Sequence, residues 1–344
     1  MSAITFFTNK KEITGLTHNN VFNDVDLSSL VSSSAVGVIV EILNSGAQAS
    51  YRPYIRCNGS TDAITSNATI VADEYNIRIV KCDADKKIEI QSPHSDFKYY
   101  LTGELGSGAV LKTNLVDKTT GATEEWVDID ITSDLETGDS GDVEAVIVTS
   151  NNTSSTEKSY SIRKNGSTDS LTTYTLVINS WISGVDSNDV FEQYRGHANV
   201  NAYMVGYIKK SSGLTMKTNY TAKTCSTNNS WTDMDITSDT ASNANGAILV
   251  INSASGELKY TRENGSTNPI ADHSYEYRIP NFIGLDSSQI LEYYGNSATI
   301  QLMGYTAPVS SSTAYDREVT GSLPAMAGAL TQKVTFKRTL TGAI

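Results

Sequence analysis

One pentapeptide occurs three times in this chain. Asn58-Gly59-Ser60-Thr61-Asp62 returns as Asn165-Gly166-Ser167-Thr168-Asp169 and again as Asn264-Gly265-Ser266-Thr267-Asn268, at intervals of about 100 residues. An arginine stands two positions before each copy, as Arg56, Arg163 and Arg262. Other landmarks keep the same order. Trp126-Val-Asp-Ile-Asp-Ile-Thr-Ser-Asp134 matches Trp231-Thr-Asp-Met-Asp-Ile-Thr-Ser-Asp239, with Phe22 to Ser29 as a degenerate first copy. Gly184-Val-Asp-Ser187, followed by Glu192 and Tyr194, matches Gly284-Leu-Asp-Ser287, followed by Glu292 and Tyr294; Asp83 and Glu89 hold the register in the first copy. A closing segment ends in Leu101-Thr-Gly103, Met204-Val-Gly206-Tyr207 and Leu302-Met-Gly304-Tyr305. A period this long marks whole domains and not solenoid units, each expected to have its own core. The predicted limits are 1–106, 107–210 and 211–307, followed by a C-terminal extension, 308–344, read as an assembly or anchoring segment.

The stretches between landmarks are short, rich in Val, Ile, Thr and Tyr, and divided by Gly, Asn, Asp and Ser, which predicts an all-β fold. From Trp126 to Ile131 apolar and acidic residues alternate, as in a strand with one wet face. Val38 to Leu43, Ala145 to Val148 and Ala247 to Ile251 are near-continuous apolar runs, the pattern of a central strand covered on both faces. Each Asn-Gly pair reads as a tight turn after the arginine-bearing strand. Seven or eight strands per repeat predict three tandem antiparallel β-sandwiches, jelly-roll-like or immunoglobulin-like, strung into an elongated rod.

Composition excludes several classes. Lys plus Arg number 26 against 38 Asp plus Glu, and a net charge of -12 repels phosphate backbones, so nucleic acid is not an expected partner. No apolar run approaches the ~20 residues of a membrane helix, and the first fifteen residues lack the apolar stretch of an export signal, so neither membrane nor leader is expected. Three cysteines, Cys57, Cys82 and Cys225, have no CxxC spacing and read as buried thiols.

Candidate chemistry is weighed against scaffold roles. The pairs Asp24/Asp26, Asp128/Asp130 and Asp233/Asp235 lie two apart on strands, a possible hard-oxygen cation site but more simply a hydrated face leading into a turn. Glu192 and Glu292 recur once per repeat, whereas a glycosidase needs two carboxylates in one cleft. His18, His94, His197 and His273 fall at unmatched positions. Arg56, Arg163 and Arg262 are expected to pair with the Asp of the Gly-x-Asp-Ser turn or with the later glutamate. The 18 tyrosines admit a sugar-stacking surface as well as ordinary strand packing. The sequons at Asn58, Asn165 and Asn264 follow from the composition. No catalytic, cofactor-binding or metal residue is assigned, and no enzyme is expected.

The Arg-x-Asn-Gly-Ser-Thr, Gly-x-Asp-Ser, Glu-x-Tyr and Gly-Tyr landmarks resemble a β-sandwich repeat of tailed-phage and prophage virion structural proteins. That resemblance covers most of residues 1–307 and is clearest in the second and third copies. It implies a non-enzymatic component of the virion surface, a capsid decoration protein or tail appendage, made in the host cytoplasm. Its implied partners are other virion proteins and further copies of the chain. The alternative is a carbohydrate-binding or receptor-binding adhesion module directed at a host-surface glycan.

Overall fold

The computed structural model describes residues 3–46, 52–62, 75–154, 156, 158–170, 173–175, 178–226, 228–252, 258–268, 279–295, 298–309, 319–320 and 335–336. The chain divides into a compact unit, Met1–Pro308, and a second unit, Val309–Ile344.

In the first unit the fold is all-β and antiparallel, with three pairs of facing sheets. The first pair comes from β1 (Ile4–Glu12), β2 (Asn23–Asp26), β3 (Gly37–Asn44), β4 (Tyr54–Cys57), β5 (Tyr75–Lys81), β6 (Lys87–Gln91) and β7 (Phe97–Leu105). Its sheets run β1-β7-β3-β5 and β2-β6-β4. The second comes from β8 (Ala109–Asp117), β9 (Trp126–Asp130), β10 (Val143–Asn152), β11 (Lys158–Lys164), β12 (Thr173–Thr175), β13 (Asn179–Gly184), β14 (Val190–Arg195) and β15 (Val200–Lys209), arranged β13-β10-β15-β8 and β12-β11-β14-β9. The third comes from β16 (Leu214–Thr224), β17 (Asn228–Asp235), β18 (Gly246–Asn252), β19 (Leu258–Glu263), β20 (Ile279–Gly284), β21 (Ile290–Gly295) and β22 (Thr299–Thr306), arranged β16-β22-β18-β20 and β17-β21-β19. In every copy the first strand pairs with the last and the second with the last but one. That nesting is the jelly roll; an immunoglobulin sandwich would pair its first two strands within one sheet.

The apolar runs are buried on both faces, as their composition requires. In β3, Val38, Val40 and Ile42 fill the interior of the first jelly roll with Ile88, Ile90 and Phe97. The alternate residues Ile39 and Leu43 belong to another cluster, shared by all three copies, with Ile147 of β10 and Ile248, Val250 and Phe282 of the third copy. Separate cores were expected from the sequence. Instead the second copy's interior is continuous with this shared core, while the first and third copies also have interiors of their own.

The shared core explains why the expected rod does not form. A rod would leave the second face of each four-stranded sheet in water. Instead β8 lies beside β5, β16 beside β13, and β1 beside β20, so the third copy packs back on the first and the three jelly rolls close a ring. Closure also covers sheet edges, whose unpaired amides would otherwise invite aggregation. The edge amides of Ile77 and Ile79 in β5 donate to Asn179 Oδ1 (3.1 Å) and Ser180 Oγ (2.9 Å) of the second copy.

The glycine of each closing segment marks a close approach. β7, β15 and β22 pair with β1, β8 and β16 through an irregular register. There a Cβ on Gly103, Gly206 or Gly304 would fall 2.8, 2.2 or 2.6 Å from the carbonyl oxygen of Thr5, Val110 or Thr215. Only glycine fits, which is why that landmark recurs.

Among the described residues no helix is long and apolar enough to cross a membrane. In the second unit β23 (Val319–Thr320) pairs antiparallel with β24 (Thr335–Phe336). Apart from Pro308 and Val309, the rest of the predicted assembly segment lies outside the described residues.

Candidate functional site

The recurring residues assemble into one constellation, built three times. Arg163 on β11 lies across from Glu192 on β14, because the two are register partners in the sheet. Its Nε and Nη2 donate to the two carboxylate oxygens at 2.8 and 2.9 Å, and Nη1 donates to the backbone carbonyl of Asp169. The guanidinium stacks 4.0 Å from the ring of Trp126, which packs in turn on Tyr194 at 5.7 Å. Arg262 repeats this with Glu292 (2.8 Å), the carbonyl of Asn268 (3.0 Å), Trp231 (3.8 Å) and Tyr294 beyond it. Arg56 uses Glu89 (2.5 Å), the carbonyl of Asp62 (3.0 Å) and Phe22 (3.9 Å). Of the two partners expected for the arginines, the later glutamate is the one taken. These pairs are largely shielded, with side chains 13–23% exposed, where a forked guanidinium between a carboxylate and an aromatic face outperforms a lysine.

The arginine holds the loop after the turn. In that turn Ser60, Ser167 and Ser266 donate their backbone N–H to the carbonyls of Cys57, Lys164 and Glu263. Gly59, Gly166 and Gly265 sit at φ 75°, 81° and 79°, so of each Asn-Gly pair only the glycine takes the left-handed conformation. The asparagine does different work. Asn58, Asn165 and Asn264 donate to Asp83, Asp186 and Asp286 at 2.6, 3.0 and 2.8 Å, tying this turn to the Gly-x-Asp-Ser turn. The sequon nitrogens are thus already engaged in folding.

The turn faces the neighbouring copy. Asn114 Oδ1 accepts from Ser60 Oγ (3.1 Å), Thr61 N (2.9 Å) and Thr61 Oγ1 (3.3 Å). Asn219 does the same for Ser167 and Thr168, and Asn9 for Ser266 and Thr267, with nearly identical distances. A reciprocal bond runs back from Leu115 N to Asp62, Tyr220 N to Asp169 and Lys10 N to Asn268. The first copy is therefore fastened to the second, the second to the third, and the third to the first. At the third joint the first copy holds a buried Lys10–Glu41 ion pair of its own at 2.8 Å, and the Tyr260 hydroxyl of the third copy donates across to Glu41 at 3.4 Å. Burial, reinforced by that carboxylate, raises the Tyr260 phenol well above its ordinary range.

Asn9, Asn114 and Asn219 were not singled out from the sequence. A signal was there, since Thr8-Asn9, Thr113-Asn114 and Thr218-Asn219 are evenly spaced along the chain.

The other candidates have local roles. Asp26, Asp130 and Asp235 accept from the backbone of Ser28, Thr132 and Thr237, and hydrogen bonds from those residues hold the carboxyls below their usual range. No group of three or more metal-ligating side chains exists among the described residues. His18 bonds Ser92, His94 lies 3.2 Å from Asp96, His197 accepts from the Asn199 amide, and His273 lies outside the described residues. The three cysteines are free and buried, and burial pushes the thiols of Cys82 and Cys225 up to about 12.

No protein-family model matches the chain, and no curated protein matches it. One solved chain, from the atomic structure of Sulfolobus Turreted Icosahedral Virus, aligns with 88% of this chain and 91% of its own length at 12% identity and a TM-score of 0.22.

Proposed function

We propose that the protein is a non-enzymatic structural component of a virus particle, displayed on the particle surface as a capsid decoration. The observation that carries this reading is the use to which the triplicated residues are put. Each recurring Arg, Glu, Asn, Ser and Thr braces its own jelly roll or fastens it to the next, so what was copied three times serves the shape of a ring. A ring with internal threefold repetition offers three similar surfaces to whatever it sits on, and a threefold position on a particle is matched by one chain making three like contacts. The net charge of -12 supports display in solvent. Among the described residues only Val21 and Val309 are large apolar side chains left exposed, which favours attachment through polar contacts.

The test is to mix the purified protein with particles that lack it and image them by electron microscopy. Saturable binding with one ring at each threefold position is the expected result. Absence of the protein from purified particles, together with failure to bind them, overturns the reading.

A further inference from the structure

Comparison of the three copies separates what the jelly roll needs from what it does not. Arg78 in β5, Trp181 in β13 and Asn281 in β20 occupy the same place, each paired across the sheet with the matching residue of the central strand: Val40, Val148 and Leu249. Trp181 donates to Ser150 and packs on Tyr160, and Asn281 donates to Thr261, so both are satisfied within their own sandwich. Arg78 is 6% exposed, and its Nη1 is buried with no hydrogen-bond partner. A buried guanidinium with an unpartnered nitrogen is a costly group for a core to hold, and the neighbouring copies show that the fold does not require one there.

Arg78 lines a cavity of about 50 Å³ between β4, β5 and β8, where the first copy meets the second. Lys81 and Lys112 line it too. Among the described residues Lys81 Nζ bonds only the Thr113 hydroxyl (3.0 Å), and no ion pair forms at Arg78, Lys81 or Lys112. The carboxylate of Asp62, also in the lining, accepts the Leu115 amide, and Arg56, a fourth cation of the lining, is neutralised by Glu89. The remaining walls include Phe22, Tyr54 and Leu115. Three cations without an ion pair among the described residues thus face one committed carboxylate, in a chain whose overall charge is strongly negative.

We propose that this cavity binds the carboxylate of a small organic acid, with Arg78 as the buried anchor. A planar carboxylate accepts two parallel bonds from a guanidinium, and the volume admits such a head group and little more. The body of the ligand would rest against Phe22 and Leu115. The site occurs once per ring, since Trp181 and Asn281 stand in its place elsewhere, and it is independent of where the protein is displayed.

Isothermal titration of the full chain with acetate, benzoate, glucuronate and inorganic phosphate tests the assignment. One equivalent of a carboxylate is expected to bind, with affinity falling at least tenfold in Arg78→Met and severalfold in Lys81→Gln. The order of benzoate and glucuronate distinguishes an apolar acid from an acidic sugar. A preference for phosphate, no binding of any carboxylate, or unchanged binding by Arg78→Met overturns the proposal. Crystals of the unaltered protein soaked in 4-bromobenzoate give a readout that does not depend on the variants folding. A bromine anomalous peak at the mouth of the cavity supports the site, and a peak elsewhere or none overturns it.

Discussion

Closure of the ring can be tested at a single atom. Asn9 Oδ1 accepts three hydrogen bonds from the third copy, at 3.1, 2.9 and 3.2 Å. Asn9→Ala removes that acceptor and leaves the rest of β1 in place. A net value of about 0.5–1.5 kcal/mol per bond, reduced for the exposure of Thr267, gives a loss of about 2 kcal/mol. Ser266 Oγ keeps its bond from the Asn268 amide, which limits the damage. At roughly 2 °C per kcal/mol for a unit of this size, Tm falls by about 4 °C. The informative measurement is urea unfolding of Asn9→Ala, Asn114→Ala and Asn219→Ala side by side. Because the three asparagines do the same work, their losses should agree within about 0.5 kcal/mol. An open chain of domains would make Asn9→Ala silent while the other two still cost stability, and that pattern would refute the ring.

Three other outcomes follow from the same geometry. Arg163→Lys keeps the charge but gives up the second bond to Glu192 and the flat stack on Trp126, and should cost about 1–2 kcal/mol in chemical denaturation. Gly206→Ala places a methyl 2.2 Å from the Val110 carbonyl oxygen, a backbone atom held in the sheet, so a loss of about 2 kcal/mol or more, or failure to fold, is expected from thermal unfolding. Cys82 and Cys225, raised to about 12, should resist a thiol reagent at about pH 8 until the protein unfolds. Because their folded values lie above the unfolded value of about 8.5, stability should be intact below that pH and decline above it, visible as a falling alkaline limb in urea titrations.

The parts of this molecule that could be read from the chain are those each copy had to solve for itself. The Asn-Gly turn, the bulge glycine and the arginine appear three times because every jelly roll needs them. Double-sided burial of Val38 to Leu43 was visible as an unbroken apolar run, yet nothing in that run says that its second face meets other copies. The choice between jelly roll and immunoglobulin topology rests on which distant strands pair, information carried by long-range packing and not by local pattern. Asn9 has its partners more than 250 residues away, so its recurrence was detectable and its purpose was not. Arg78 occurs in one copy only, with Trp181 and Asn281 in its place elsewhere, so no repeated landmark points to it.

The joint between Asn9 and Thr267 also sets an order of events during synthesis. β1 leaves the ribosome before the other strands of the compact unit, and the turn that receives Asn9 comes near that unit's end. At roughly 5–20 residues per second, β1 waits some tens of seconds for its docking site. Until then the nascent chain exposes a raw edge beside β1 and one half of the common core, which makes the interval before closure the period in which this protein is most vulnerable to pairing with a neighbour.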